Sequence, residues 1–376
     1  MQTKSDTTLQ WLDVQDQRLD WLNVADWEQR EGGFQPVRVP KAWRDQWPAK
    51  TARRGMSAAG IAVRFRTDST KLVFSVTFVD SPDSPPATPA AGWERSRPPF
   101  FSLYRDGKYL TSIAALTHFE RQEVMIYNDR EFSSEAEIQV LLPFYYRNAE
   151  IVMHGIGVEP GARLLPAPRD LRPRVFFHGD SITHGHGVTS PRETYVRQVA
   201  DRLGCVGINY GFGGTAWADN IVAQTIASRT DWDILVIMLG TNSFGGADAD
   251  GRPETAKQYA QKYEAFLATI RAAAPKKPIL CVTPILNRAD IERGGNQNGE
   301  RPELYREGIT RVVRQRQIAD PNLYLADGLQ MVDDPLFLLV TDRVHPNDTG
   351  MHRIAEGVAA ALKPLVEKAR QNFSRD

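Results

Sequence analysis

The chain is short of cysteine, of long apolar runs and of net charge, and each shortage closes off a class of explanation. Only two cysteines, Cys205 and Cys281, occur in 376 residues, each inside an apolar run (GCVGI and ILCVT). They read as buried free thiols in preference to a disulfide, and so say little about redox compartment. No stretch approaches the roughly 20 apolar residues that span a bilayer. The start, MQTKSDTTLQWLDVQD, has no apolar core of a signal peptide. That leaves the compartment open: cytoplasmic for a chain that begins here, secreted or periplasmic for one trimmed from a precursor. Lys plus Arg and Asp plus Glu both number 46, so net charge is zero. No long-range field recruits nucleic acid or an anionic membrane, and a neutral substrate is expected.

What is present is an ordinary globular composition, 41% hydrophobic and 24% charged, in a chain long enough for two cores. Its grammar changes near residue 165. Before that point come short β-branched or aromatic runs bounded by turn residues: GIAVRF, KLVFSVTFV, FFSLYRDGKYL, EVMIYND, AEIQVLLPFYY and AEIVMHGIGV. These read as strands, and Asp106-Gly107 reads as a hairpin turn. A small all-β sandwich or jelly roll over residues 1–165 is the expectation. Within it the Pro-rich 81–92 reads as an exposed loop, and 161–173, with three prolines, as the linker between domains.

After the linker, apolar runs alternate with helical patterns. RVFFHG (174–179), VGINY (206–210), DILVIML (233–239), PILCVTPIL (278–286) and NLYLADG (322–328) read as buried strands. Helices are expected over 191–204, near 217–228, over 254–274 and 303–319, and after Pro346. Residues 166–376 are therefore expected to form an α/β domain, a parallel sheet with helices on both faces and its chemistry at the carboxyl ends of the strands.

Four blocks fall at such ends or close to them. Gly179-Asp180-Ser181-Ile182-Thr183 places a serine hydroxyl where the first strand breaks, although Thr183 occupies the second-glycine position of a nucleophile elbow. Thr341-Asp342-Arg343-Val344-His345-Pro346 sets a carboxylate three residues before an imidazole; the pair can act as general base and orienting acid. Asn209-Tyr210-Gly211-Phe212-Gly213-Gly214-Thr215 and Gly240-Thr241-Asn242-Ser243 supply bare backbone N–H groups and an amide suited to an oxyanion. Alone, each also reads as a turn, a helix-approach cap or a surface residue. Together, on one edge of one sheet, they argue for acyl transfer.

In this order the blocks resemble those of the SGNH (GDSL) hydrolase superfamily. The resemblance covers residues 174 to about 365. It implies a flavodoxin-like domain with Ser181 as nucleophile, Asp342 and His345 completing a triad, and an oxyanion hole of Ser181, Gly214 and Asn242. Gly211 and Gly213 are alternative registrations for the glycine. Ser243 departs from the family's usual aspartate, which is considered structural there. A β-rich domain in front is similar to the subset that includes carbohydrate O-acetyl esterases, and FSLYRDGKYL is loosely similar to an N-terminal motif of one such group. The implied function is a serine esterase that removes small acyl groups, above all acetyl, from a carbohydrate through an acyl-enzyme, with no metal or organic cofactor. A lipase or thioesterase is the alternative within the class; a carbohydrate-binding protein with a decayed triad is the alternative outside it. The expected partner is a small-molecule or carbohydrate ester. Oligomeric state leaves no signature in the sequence.

Other residues compete for attention. His178, His184 and His186 cluster around the serine, yet no Cys or carboxylate cluster completes a metal site. His184 or His186 is expected to line the acyl or leaving-group pocket. Asp327 is a rival orienting acid whose simpler reading is a loop cap. Trp93, Phe100, Phe101, Tyr104, Tyr145 and Tyr146 offer a sugar-stacking platform, with core packing as the plainer role.

Overall fold

The computed structural model describes residues 9–79, 99–116, 120–144, 150–246 and 253–373. The Pro-rich 81–92, Trp93, Tyr145 and Tyr146 lie outside the described residues. Contacts divide the chain into two units. The first holds the described residues up to Lys41, Gly55–Asp170 and Thr189–Arg192. The second holds Ala42–Arg54, Leu171–Val188 and the described residues from Glu193 onward.

The first unit is built of short strands: β1 (Gln10–Leu12), β2 (Asp20–Leu22), β3 (Asp26–Arg30), β4 (Gly33–Val37), β5 (Ala62–Thr67) and β6 (Lys71–Val79). They continue as β7 (Phe100–Arg105), β8 (Lys108–Ala114), β9 (Gln122–Asn128), β10 (Ala136–Leu141), β11 (Glu150–Val158) and β12 (Leu164–Leu165). One antiparallel sheet runs β3-β4-β11-β6-β9 with β1 on β11; the other runs β12-β5-β10-β7-β8 with β2 on β5. Phe74 and Val76 of β6 share a buried cluster with Phe65 of β5 and Phe101 of β7. Phe74 meets Phe101 edge-on, with ring centroids 5.7 Å apart. The two sheets therefore close over one core, each such side chain contributing about 1.5–3 kcal/mol by leaving water.

The Asp106-Gly107 turn is a two-residue hairpin, pairing Arg105 with Lys108. Both central residues have positive φ, 49° and 74°, the type I′ geometry that matches strand twist. The Asp106 carboxylate also accepts from the Glu137 N–H at 3.0 Å. Phe101 and Tyr104 are buried in this unit, so the plainer core reading holds for them.

The second unit carries β13 (Arg174–Gly179), β14 (Val206–Gly211), β15 (Ile234–Met238), β16 (Ile279–Val282) and β17 (Leu323–Ala326). All pair in parallel, in the order β14-β13-β15-β16-β17. Every residue of β15 is buried, as a strand covered on both faces requires. Side chains of β13 alternate. Val175 and Phe177 join a cluster with the helices Tyr195–Leu203 and Asp348–Phe373, whereas the His178 ring stacks on Phe266 of the helix Ala256–Ala273.

Local chemistry sets where these helices begin and end. The Thr194 hydroxyl accepts from the Arg197 N–H, and Gly204 takes φ 55° at the other end. Thr255 and Gln258 form a capping box, and Pro302 opens the helix Pro302–Gln317. Cys205 and Cys281 are buried free thiols. Because β14 and β15 flank β13, the chain leaves β13 in one direction and returns on its other side. Ligands in open parallel sheets bind outside the carboxyl ends at this kind of switch point.

Candidate active site

The carboxyl end of β13 runs straight into a single helical turn, Ser181–His184. Asp180 caps it, its carboxylate accepting from the Ile182 N–H at 3.0 Å. As the first residue of the turn, Ser181 has a backbone N–H with no partner inside the helix. Two glycines let this turn press on the sheet. A Cβ on Gly179 would stand 2.0 Å from the Thr183 hydroxyl, and one on Gly211 would stand 2.1 Å from the His184 nitrogen. Asn209 ties the pieces together, donating to the Thr183 carbonyl at 2.7 Å and accepting from the Gly211 N–H at 3.0 Å. Asp180 is fully buried; burial raises its carboxyl above the usual range, against the Ile182 N–H and the Thr241 hydroxyl, which favour the charged form.

Asp342 and His345 sit on a loop closed on itself. The Leu339 N–H donates to the His345 carbonyl at 2.7 Å, and the Arg343 N–H to the Leu339 carbonyl at 2.9 Å. One oxygen of Asp342 accepts from the N–H groups of Val344 (2.8 Å) and His345 (3.0 Å). The other lies 2.8 Å from Nδ1 of His345. Burial pushes the Asp342 carboxyl up, but the His345 ring and the two N–H donors outweigh it and hold the carboxyl at about 2. An ionised carboxylate only accepts, so Nδ1 carries a proton toward it, and in the neutral form of the ring Nε2 is the acceptor. Nε2 stands 2.7 Å from Oγ of Ser181. A serine hydroxyl, an imidazole and a carboxylate thus form one continuous hydrogen-bonded chain. That arrangement can take a proton from the serine as it attacks a carbonyl.

Strand register brings the other two blocks beside it. Gly179 pairs with Gly211 of β14 on one side and with Met238 of β15 on the other. Gly214, beyond β14, has φ 76°, a conformation glycine adopts without steric cost. Asn242 lies in the short helix Thr241–Gly245; its Oδ1 accepts from the Ala216 N–H at 3.2 Å. That bond fixes the amide orientation and leaves Nδ2 as the donor available to a ligand. Ser243, which departs from the aspartate usual in the resembled family, is fully buried.

The three histidines near the serine separate in space. Gly185, with φ 105°, turns the chain between two of them. His184 goes into the interior, fully buried, where its Nδ1 accepts from the Gly213 N–H at 3.3 Å. His186 faces the other way, its Nε2 3.8 Å from Asp342 and its ring 3.8 Å from that of His345. His178 donates from Nδ1 to the Tyr210 carbonyl at 3.0 Å, and complete burial lowers its pKa to about 4. Asp327 caps a turn, accepting from the Leu329 N–H and the Thr283 hydroxyl. Among the described residues, His186, Asp342 and His345 form the group with ligand atoms close enough for a metal, all within 4.8 Å. Asp342 Oδ2 and His345 Nδ1, however, already hold each other at 2.8 Å. The contact of His186 with this pair has no sequence signal, because it depends on the turn at Gly185.

Residues 177–353 match the GDSL-like lipase/acylhydrolase family, and residues 9–164 match the N-terminus of SGNH-hydrolase-type esterases. An acetylxylan esterase of Xylanibacter ruminicola is 27% identical over 243 residues, 53% of this chain and 45% of that protein. The match thus spans less than half of that relative's length. Among solved structures, the salicylyl-acyltransferase SsfX3 from a tetracycline biosynthetic pathway superposes with a TM-score of 0.80 at 20% identity, covering 95% of this chain and 98% of its own. A family two carbohydrate esterase from Clostridium thermocellum superposes at 0.62 and 16% identity, covering 93% and 99%. The chain therefore joins a domain of the GDSL-like lipase/acylhydrolase family, over residues 177–353, to the N-terminal domain of SGNH-hydrolase-type esterases, over residues 9–164.

Proposed function

We propose that the protein is a serine esterase that removes small acyl groups, acetyl foremost, from a carbohydrate. Ser181 Oγ attacks the ester carbonyl while His345 Nε2 takes its proton, and Asp342 stabilises the imidazolium that results. The oxyanion is held by the N–H groups of Ser181 and Gly214 and by the Asn242 amide. Collapse expels the alcohol, which receives the proton from His345. Water, deprotonated by the same nitrogen, then attacks the acyl-enzyme and frees the acid and Ser181. The observation that carries this reading is the 2.7 Å contact of Ser181 with an imidazole oriented at 2.8 Å by Asp342. The acetyl and carbohydrate parts draw on the acetylxylan esterase likeness. We further propose that residues 1–165 form a jelly-roll module and 166–376 a flavodoxin-like catalytic domain, which Ala42–Arg54 serves.

The test is release of p-nitrophenol from acetate, butyrate and octanoate esters by the wild type and Ser181→Ala. Turnover that falls with acyl length, and drops by on the order of 10⁴-fold or more in the variant, is expected. Acetylated xylan is then the first polymer to assay. Preference for octanoate would move the assignment to a lipase or thioesterase. Absence of turnover on every ester would favour a carbohydrate-binding protein, and equal turnover in Ser181→Ala would remove the nucleophile.

A further inference from the structure

Residues 42–54 precede most of the first unit in sequence but fold with the second. The reason is visible in their side chains. Trp47 donates from Nε1 to the Thr225 hydroxyl at 2.9 Å, and its ring lies against Tyr210 and Phe212, with centroids 6.0 and 5.2 Å away. The short helix Ala49–Arg54 is thereby held at the exit of β14. Two of its residues then reach the loop that follows: Thr51 Oγ1 lies 3.4 Å from the Thr215 carbonyl, and Arg54 Nε donates to the Gly213 carbonyl at 3.0 Å.

The Gly213 carbonyl belongs to the same planar amide as the Gly214 N–H, and in a trans peptide the two point in opposite directions. A guanidinium on the carbonyl therefore has two effects on the N–H behind it. It fixes the plane, and with it the direction of the N–H. It also draws electron density toward the oxygen, making the N–H a stronger donor, since hydrogen bonds to one amide reinforce each other. The preceding amide is held separately, by the Gly213 N–H on Nδ1 of His184. With positive φ at Gly214, a glycine-rich loop would otherwise have wide backbone freedom.

We propose that Arg54 is a positioning residue for the oxyanion hole: through the Gly213 carbonyl it aims and polarises the Gly214 N–H. This rests on the esterase reading above and adds a residue that acts through the Gly213 carbonyl. The experiment compares wild type, Arg54→Met and Arg54→Lys in two measurements beside a thermal scan of each. Amide hydrogen exchange over residues 211–216 reads the loop; kcat and KM on p-nitrophenyl acetate read the chemistry. Arg54→Met keeps an aliphatic stem and removes the donor. It should speed exchange in that segment and lower kcat about tenfold with KM near wild type, a fraction of the 10²–10³-fold that loss of an oxyanion donor costs. Arg54→Lys should recover part of both. Unchanged exchange over 211–216 would overturn the proposal whatever the activity, as would wild-type kcat in Arg54→Met, or a fall that merely follows the thermal midpoint and is not relieved by lysine. A wild type that turns over no ester would instead overturn the esterase reading, and the polarisation of an oxyanion donor with it.

Discussion

The antiparallel sheets and the parallel sheet spend their strand ends differently. In the first unit β7 returns at once into β8 through Asp106-Gly107, and the turn is consumed in closing the hairpin. In the second, β13, β14 and β15 all end on one edge, and each is followed by a block of different chemistry. A hairpin joins neighbours and leaves little for a ligand. A crossover releases each strand end to carry its own functional group. That difference accounts for the serine, the glycine loop and the asparagine lying together although they are far apart in sequence.

Three substitutions sharpen the contrast, from the largest effect to the smallest. Asp342→Asn keeps the loop's shape but leaves an amide that can hold the wrong tautomer of His345. It should lower kcat by on the order of 10⁴-fold with little change in melting, read by steady-state kinetics beside a thermal scan. Phe74→Ala does the reverse. It empties the core between the two antiparallel sheets, where Phe74 meets Phe101, and should cost about 3–5 kcal/mol of stability. In denaturant titration the first unit should unfold earlier, and kcat measured under native conditions should stay within about twofold, less than one kcal/mol. A hundredfold fall in kcat would show that the contrast is drawn too sharply.

The third uses pH. Burial lowers the His178 pKa from 6.5 to about 4, so the unfolded chain takes up the proton first as pH falls. The stabilisation is present in full above the unfolded value and drains away between 6.5 and 4. From pH 7 to 4.5 the wild type should lose on the order of 2–3 kcal/mol through this group. His178→Phe, which cannot titrate on Phe266, should lose correspondingly less. Denaturant titrations at the two pH values measure the gap, and equal losses would dismiss the effect.

Much of the second unit was legible because each signal was local. RVFFHG occupies the bounds of β13, DILVIML contains β15, and the helix expected over 254–274 is found at Ala256–Ala273 between its capping box and its proline. The four strands β1–β4 were not foreseen. They are short, and β3 (DWEQR) has no buried residue and shows no apolar alternation; their pairing partners decide them. The same holds at the site. Ser181, Asp342 and His345 announce themselves through motifs a few residues long. The attachment of Arg54 to Gly213, and of His186 to Asp342, is tertiary, between segments whose separate sequences carry no mark of it.

Base and acid of the candidate triad share one loop, in which Asp342 receives two N–H bonds and the His345 ring. The pair therefore travels as a cartridge. Of the two hydrogen bonds in the relay, only the one between His345 and Ser181 crosses from this loop to the sheet. A displacement of the loop would leave the imidazole oriented and its tautomer unchanged while opening that single joint. The relay is thus wired in series with one breaker, and the distance from Ser181 to His345 is the coordinate on which it would open or close.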